Sequence, residues 1–161
     1  MNLTESIQRL KGVGLLSALS EDALRLVAFN CDVKTLDDGA ALYFHGEEAH
    51  GAILLLTGAL DLEAYVSGKP VSRGRIEAEA VIDPYAMIVP SKRTETGRAS
   101  GEISYLTIDR GILRRVISEY PEVAEVMHDF IARHMSETVT EVNRIARRID
   151  DLDRDNKTDG Q

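Results

Sequence analysis

The stretch Gly39-Ala-Ala-Leu42-Tyr43-Phe44-His45-Gly46-Glu47-Glu48-Ala49, followed by Ile53-Leu54-Leu55-Leu56-Thr57-Gly58, decides how this chain folds. Two short apolar segments lie between glycines, each too brief for a helix and rich enough in aliphatic and aromatic residues for a strand. Gly39, Gly46 and Gly58 stand where tight turns between such strands need a positive φ without a Cβ penalty. The same punctuation continues on both sides. Asp37-Asp38-Gly39, His45-Gly46-Glu47, Thr57-Gly58, Ser67-Gly68-Lys69 and Gly74 bracket expected strands at Ala40–Phe44, Ala52–Leu56, Ala59–Val66 and Val71–Ile76. Leu60-Asp61-Leu62-Glu63-Ala64-Tyr65-Val66 alternates for most of its length, as a half-buried strand does. Turns at this spacing indicate a small antiparallel barrel or sandwich over residues 31–109. Pro84 and Pro90 mark an irregular excursion before the last strands, about Gly101–Ile108.

Working outward, both flanks are helical. In residues 1–30, Leu3, Ile7 and Leu10 recur at helical spacing and Gly12 and Gly14 interrupt them. Ser20 is suited to cap a second helix, with Glu21 and Asp22 in the first turn, where the helix dipole favours anions. In residues 110–152, Asp109 is placed to cap a helix through Ile117, and Pro121 opens a longer one. Along it Ile131, Met135, Thr138, Val142, Ile145, Ile149 and Leu152 are spaced alternately by four and three residues, the seam of a heptad repeat. Such a helix either packs back on its own barrel or joins a second copy. At ~1.5 Å per residue it outreaches a barrel of this size, which favours a homodimer. Residues 153–161 contain no apolar side chain and are expected to be disordered.

Composition sets the outer bounds. The chain has 161 residues, 43% hydrophobic and 29% charged, enough for one core plus an appendage. Its net charge of −8 disfavours non-specific binding to nucleic acid or to a membrane surface. Cys31 is the single cysteine, so neither an internal disulfide nor a thiolate zinc site is expected. The longest apolar run, Ala52–Leu56, is far short of the ~20 residues that span a bilayer. No secretory leader is legible at Met1–Glu5, which makes a cytoplasmic location the expectation. His45, His50, His128 and His134 do not share a ligating geometry, so no metal is expected. No Gly-x-Ser-x-Gly elbow, Cys/His pair or Walker loop occurs, and the chain is not expected to be an enzyme.

The ordered set Gly39, Gly46-Glu47-x-Ala49, the apolar strand and Gly58 resembles the cyclic nucleotide-binding domains of catabolite-activator, kinase-regulatory and gated-channel proteins. Arg93-Thr94-x-Thr96-x-Arg98-Ala99 and Asp109-Arg110-x-x-Leu113 continue the likeness, which covers about residues 10–145. The resemblance implies an α+β, mainly β fold: an antiparallel β-roll of jelly-roll type with N-terminal helices and a long C-terminal dimerisation helix. It also implies a site for a cyclic nucleotide such as cAMP or cGMP, with no other cofactor. Arg93 falls at the family's phosphate-binding arginine, a planar fork suited to phosphate oxygens. Thr94 follows it, and Asp83 stands at the ribose-binding glutamate with a shorter reach. Ile82 replaces the glycine that lets backbone approach the ligand, and Pro84 removes an N–H donor. Tyr85 is assigned to wall or lid packing, and Thr138 matches a base-contacting region of the terminal helix. From the residues alone, Arg93 is also explained as a surface residue or a partner of Glu95, and Asp83 as the cap of a short turn with Pro84 at its first helical position. Two functions follow: a sensor whose dimer helix signals to a partner protein, or a degenerate roll that binds no nucleotide and acts as an interaction module. A DNA-reading helix-turn-helix is not legible after the long helix, so direct DNA binding is not expected.

Overall fold

The computed structural model describes residues 3–133 and 135, and the chain divides into two compact units, Met1–Val123 and Ala124–Gln161. In the first unit, α1 (Leu3–Lys11), a 3-10 turn (Gly14–Leu16) and α2 (Glu21–Phe29) precede eight strands. Ser20 caps α2 by accepting from Ala23 N at 3.3 Å, an interaction typically worth ~1 kcal/mol. Leu10, Val13, Leu15, Leu16, Leu24 and Val27 bury one continuous face of these helices.

The strands are β1 (Val33–Leu36), β2 (Ala41–Tyr43), β3 (Glu48–Ala49), β4 (Gly51–Val66), β5 (Lys69–Glu77), β6 (Val81–Ile82), β7 (Ser91–Lys92) and β8 (Thr96–Asp109). They form an antiparallel sheet of order β1-β8-β4-β5, with β2 added to β8 and β6 to β4, and a small β3–β7 sheet. The long β4 and β8 are its spine, paired from Gly51↔Asp109 to Glu63↔Thr96. Residues 51–56 are buried throughout, which is why that stretch reads as a solid apolar run instead of an alternating one. Tyr43, Ile53, Leu55, Leu60, Ile82, Ala99 and Ile103 form the core inside the roll.

Thr57-Gly58 is not a turn between two strands, as the sequence suggests, but a break inside one. β4 runs straight through it, and the β4–β8 register shifts on both sides of Thr57. Gly58 has φ +80°, and a Cβ there would stand 2.7 Å from the Glu102 carbonyl oxygen, so the crossing strand leaves room for no side chain. The glycine is required as predicted, but for a β-bulge that bends the strand, and not for a reversal. Ser67-Gly68 does reverse the chain: both residues have positive φ and Val66 pairs with Lys69, the two-residue loop that matches strand twist. The expected alternation over Leu60–Val66 is only partial, because Leu60 is buried while Tyr65 and Val66 at the hairpin tip are both exposed.

Asp109 caps α3 (Arg110–Glu119) by accepting from Ile112 N at 2.9 Å, and the helix runs two residues beyond the expected Ile117. After Pro121 a helix begins at 122 and continues through 133. Ile131 and Met135 of the heptad seam lie on helical residues, with Met135 exposed. Thr138, Val142, Ile145, Ile149 and Leu152, together with residues 153–161, lie outside the described residues.

Candidate functional site

The excursion between β5 and β8 folds back onto the Gly46 loop, and its chain path fixes Arg93. β7 pairs with β3, which brings Arg93 N within 2.8 Å of the Glu47 carbonyl, while Gly46 N donates to the Arg93 carbonyl at 2.8 Å. The same two segments are joined again further along. His45 N donates to Thr96 Oγ1 at 3.0 Å and His45 Nδ1 lies 2.7 Å from the Thr94 carbonyl oxygen, while within the loop itself Phe44 N donates to Glu47 Oε2 at 3.0 Å. Thr96 is buried by this arrangement. Arg93 is therefore anchored through both backbone polar groups before its side chain makes any contact.

That side chain turns inward. Arg93 is 6% exposed, and its guanidinium carbon lies 4.6 Å from the centroid of the Tyr43 ring, a cation–π geometry. Tyr43 lies at the end of β2, opposite Gly97 of β8. Gly97 makes this seat possible, because a Cβ there would stand 2.7 Å from Tyr43 Cζ. Burial pushes the Tyr43 phenol up to about 12, with the cationic Arg93 opposing the rise and Asp83 and Glu95 adding to it. The ring is thus a neutral aromatic floor beneath the cation.

Arg93 Nη1 forms an ion pair with Asp83 Oδ2. This settles how the two residues are used in the structure: Arg93 is neither a surface residue nor a partner of Glu95. Asp83 occupies the position before the short 3-10 helix Pro84–Met87, with Pro84 at its first helical position. It does not cap that helix with its side chain, because the carboxylate is turned to Arg93 instead. Its backbone is left-handed, at φ 49° and ψ 57°, a region few non-glycine residues enter.

The remaining residues singled out from the sequence separate. Ile82 is 5% exposed and packs in the core of the roll, so its side chain fills the interior and does not face a site. Tyr85, assigned to wall or lid packing, is 45% exposed. Thr94 is exposed, and its hydroxyl donates to Glu95 Oε2 at 3.0 Å. Thr138 lies outside the described residues. Sequence reading missed the role of Tyr43, which was legible only as a strand residue, and that of Arg110. Arg110 Nη1 donates to the carbonyls of Ala49 at 2.8 Å and Ala86 at 3.2 Å, and Nη2 meets Glu48 Oε1 at 3.0 Å. One guanidinium therefore ties the Pro84–Met87 helix to β3 and to the start of α3. The pairing Asp109-Arg110 had marked that position without saying what it holds. Among the described residues no group of three His, Cys, Asp or Glu is placed to hold a metal ion, and no helix is long and apolar enough to cross a membrane.

No protein-family model matches the chain, and no curated protein does so. Solved structures do. The N-terminal domain of a transcriptional regulator from Streptomyces coelicolor A3(2) superposes with a TM-score of 0.76 at 22% identity, covering 83% of this chain and 94% of that one. A cyclic nucleotide-binding-like protein from Brucella abortus gives 0.67 at 27% identity, over 71% of this chain and 98% of its own. The regulatory domain of Toxoplasma gondii PKA, crystallised with cAMP, gives 0.63 at 18% identity over 84% of this chain and 50% of that chain. The chain thus has the β-roll fold of the cyclic nucleotide-binding domain proteins.

Proposed function

We propose that this domain is a regulatory sensor that takes the phosphate of a cyclic nucleotide, cAMP or cGMP, at Arg93, and that its C-terminal helix passes the bound state to a partner protein. The observation that carries this reading is the seat of Arg93: a guanidinium 6% exposed, stacked on Tyr43 and fixed at its backbone by the Gly46 loop. A core position is an expensive place for a cation unless an anion repays the desolvation. A planar fork held this firmly suits phosphate oxygens. Thr94 and the backbone around Asp83–Tyr85 assist, and Asp83 is within reach of a ribose hydroxyl once a ligand is seated. The T. gondii neighbour holding cAMP supports the choice of ligand. Binding shifts the helix only if the ligand's affinity differs between two helix arrangements. The helix joins two copies through Ile131, Met135, Thr138, Val142, Ile145 and Ile149, and charges placed at Val142 and Ile145 then yield a monomer.

A second reading is favoured by a different observation. The Asp83 carboxylate already neutralises Arg93, and Pro84 offers no N–H, as in a roll that serves only as a scaffold for protein interaction. Calorimetric titration with cAMP and cGMP of the wild type and of Arg93→Ala separates the two. Binding lost in Arg93→Ala supports the sensor; binding unchanged by it removes Arg93 as the clamp, and binding absent throughout leaves the scaffold.

A further inference from the structure

We infer that Asp83 is a built-in competitor for the anion site: in the ligand-free domain its carboxylate occupies the Arg93 guanidinium, and a phosphate-bearing ligand enters by displacing it. This rests on the reading that Arg93 is the phosphate clamp. It adds what regulates that clamp.

The two ends of the ion pair are held unequally. Arg93 is fixed from three sides, by Glu47 and Gly46 at its backbone and by the Tyr43 ring beneath its side chain. Only 6% of its side chain is exposed, against 41% for Asp83. The carboxylate is therefore the more solvent-exposed end of the pair, and the end an incoming anion can replace. Asp83 has no competing commitment, since its side chain makes no cap bond to the helix it precedes. Its left-handed backbone before a proline is a sparsely populated conformation, and the ion pair with Arg93 is the contact that rewards it. A ligand phosphate that takes over the guanidinium removes that reward and frees residue 83 to turn toward the ribose. The exchange replaces one anion by another at the same donor, so no buried charge is left uncompensated at either stage. Because the clamp is open only for a fraction of molecules, the apparent dissociation constant is the intrinsic one divided by that fraction.

The consequence separates this role from that of a ribose acceptor. Asp83→Asn abolishes the competing charge but keeps an amide oxygen able to accept from a 2′-hydroxyl. The competitor role expects cAMP to bind Asp83→Asn at least about tenfold more tightly than wild type, with the gain abolished when Arg93→Ala is added. A simple ribose acceptor expects equal or weaker binding. The experiment is calorimetric titration of cAMP into wild type, Asp83→Asn, Arg93→Ala and the double variant, together with the Arg93 guanidinium Nη–H resonances of wild type and Asp83→Asn before cAMP is added. Wild-type binding that depends on Arg93 but is equalled or weakened in Asp83→Asn overturns the competitor and leaves the clamp standing. If no form binds cAMP, the nucleotide reading falls, and the competitor that rests on it falls too. Nη–H resonances that shift and exchange faster in Asp83→Asn uphold an occupied guanidinium; resonances indifferent to the substitution overturn it.

Discussion

Gly97→Ala tests the seat on which the site is built. Gly97 pairs with Tyr43 on one side of β8 and with Leu62 on the other. A Cβ at this position would stand 2.6 Å from Leu60 Cδ2, 2.7 Å from Tyr43 Cζ and 3.0 Å from Tyr43 Cε1. Its φ lies outside the left-handed region, so the cost is steric alone. Neither neighbour can swing into solvent, because Leu60 is fully buried and Tyr43 nearly so. Overpacking of this kind costs ~1–3 kcal/mol. Pushing the ring from beneath Arg93 forfeits a cation–π contact of ~0.5–2 kcal/mol. Replacing a strand glycine returns ~0.5–1 kcal/mol. The net expectation is a loss of about 2.5 kcal/mol, within about 0.5–4.5 kcal/mol. The assay is urea unfolding followed by tyrosine fluorescence and circular dichroism, since the chain has five tyrosines and no tryptophan. The decisive arm is a double-mutant cycle with Tyr43→Leu, which removes the ring that the new methyl would strike. The double variant should be more stable than the sum of the single losses predicts by ~1 kcal/mol or more. Additivity to within ~0.5 kcal/mol, or a neutral Gly97→Ala, refutes the claim that this glycine exists to seat Tyr43 under Arg93.

Two further predictions concern stability. Gly51→Ala places a Cβ 2.2 Å from the Ile108 carbonyl oxygen and 2.6 Å from Asp109 Cα, backbone that moves only by opening the β4–β8 ladder. Gly46→Ala meets nothing within 4 Å and costs only its left-handed φ of +82°, ~1–2 kcal/mol. Urea midpoints should therefore fall much further for Gly51→Ala, and equal losses would contradict the steric assignment. In alkaline solution, burial raises the Cys31 thiol from 9.0 to about 12, reinforced by Asp109 and Asp32, and raises Tyr43 from 10.0 to about 12. Both groups are held neutral in the fold and ionise more readily in the unfolded chain. The stability they contribute is therefore full below about pH 9 and is lost as pH rises from there toward 12. Urea midpoints between pH 7 and 10.5 should decline, and Cys31→Ala should flatten the first part of that decline; an unchanged slope in the variant contradicts the thiol assignment.

Much of the framework was legible because it depends on local chemistry. Ser20 and Asp109 have short oxygen-bearing side chains directly before amphipathic runs, and both cap helices by accepting from the amide three residues on. Ser67-Gly68 made a two-residue hairpin in which Gly68 takes a positive φ without a Cβ penalty and Ser67 takes the other. Thr57-Gly58 carried an identical signal and gave a bulge. Whether a positive-φ glycine ends a strand or bends it depends on what crosses it, here Glu102 and Ile103 of β8, and a sequence window of that size does not contain them.

The candidate site shows the same division. The ordered glycines in the sequence by themselves determined the β-roll, because turn conformation is a local property, and Arg93 could be singled out there only by resemblance. Only the tertiary structure decided what that arginine touches. Asp83 is ten residues upstream of Arg93, and Tyr43 approaches from another strand. Neither has a spacing that announces the contact, since both meet Arg93 through the folding back of β6, the Pro84–Met87 helix and β7. Burial then set the energetics: a guanidinium withdrawn from water must find an anion and a polarisable face, and the chain supplies both from segments that sequence order keeps apart.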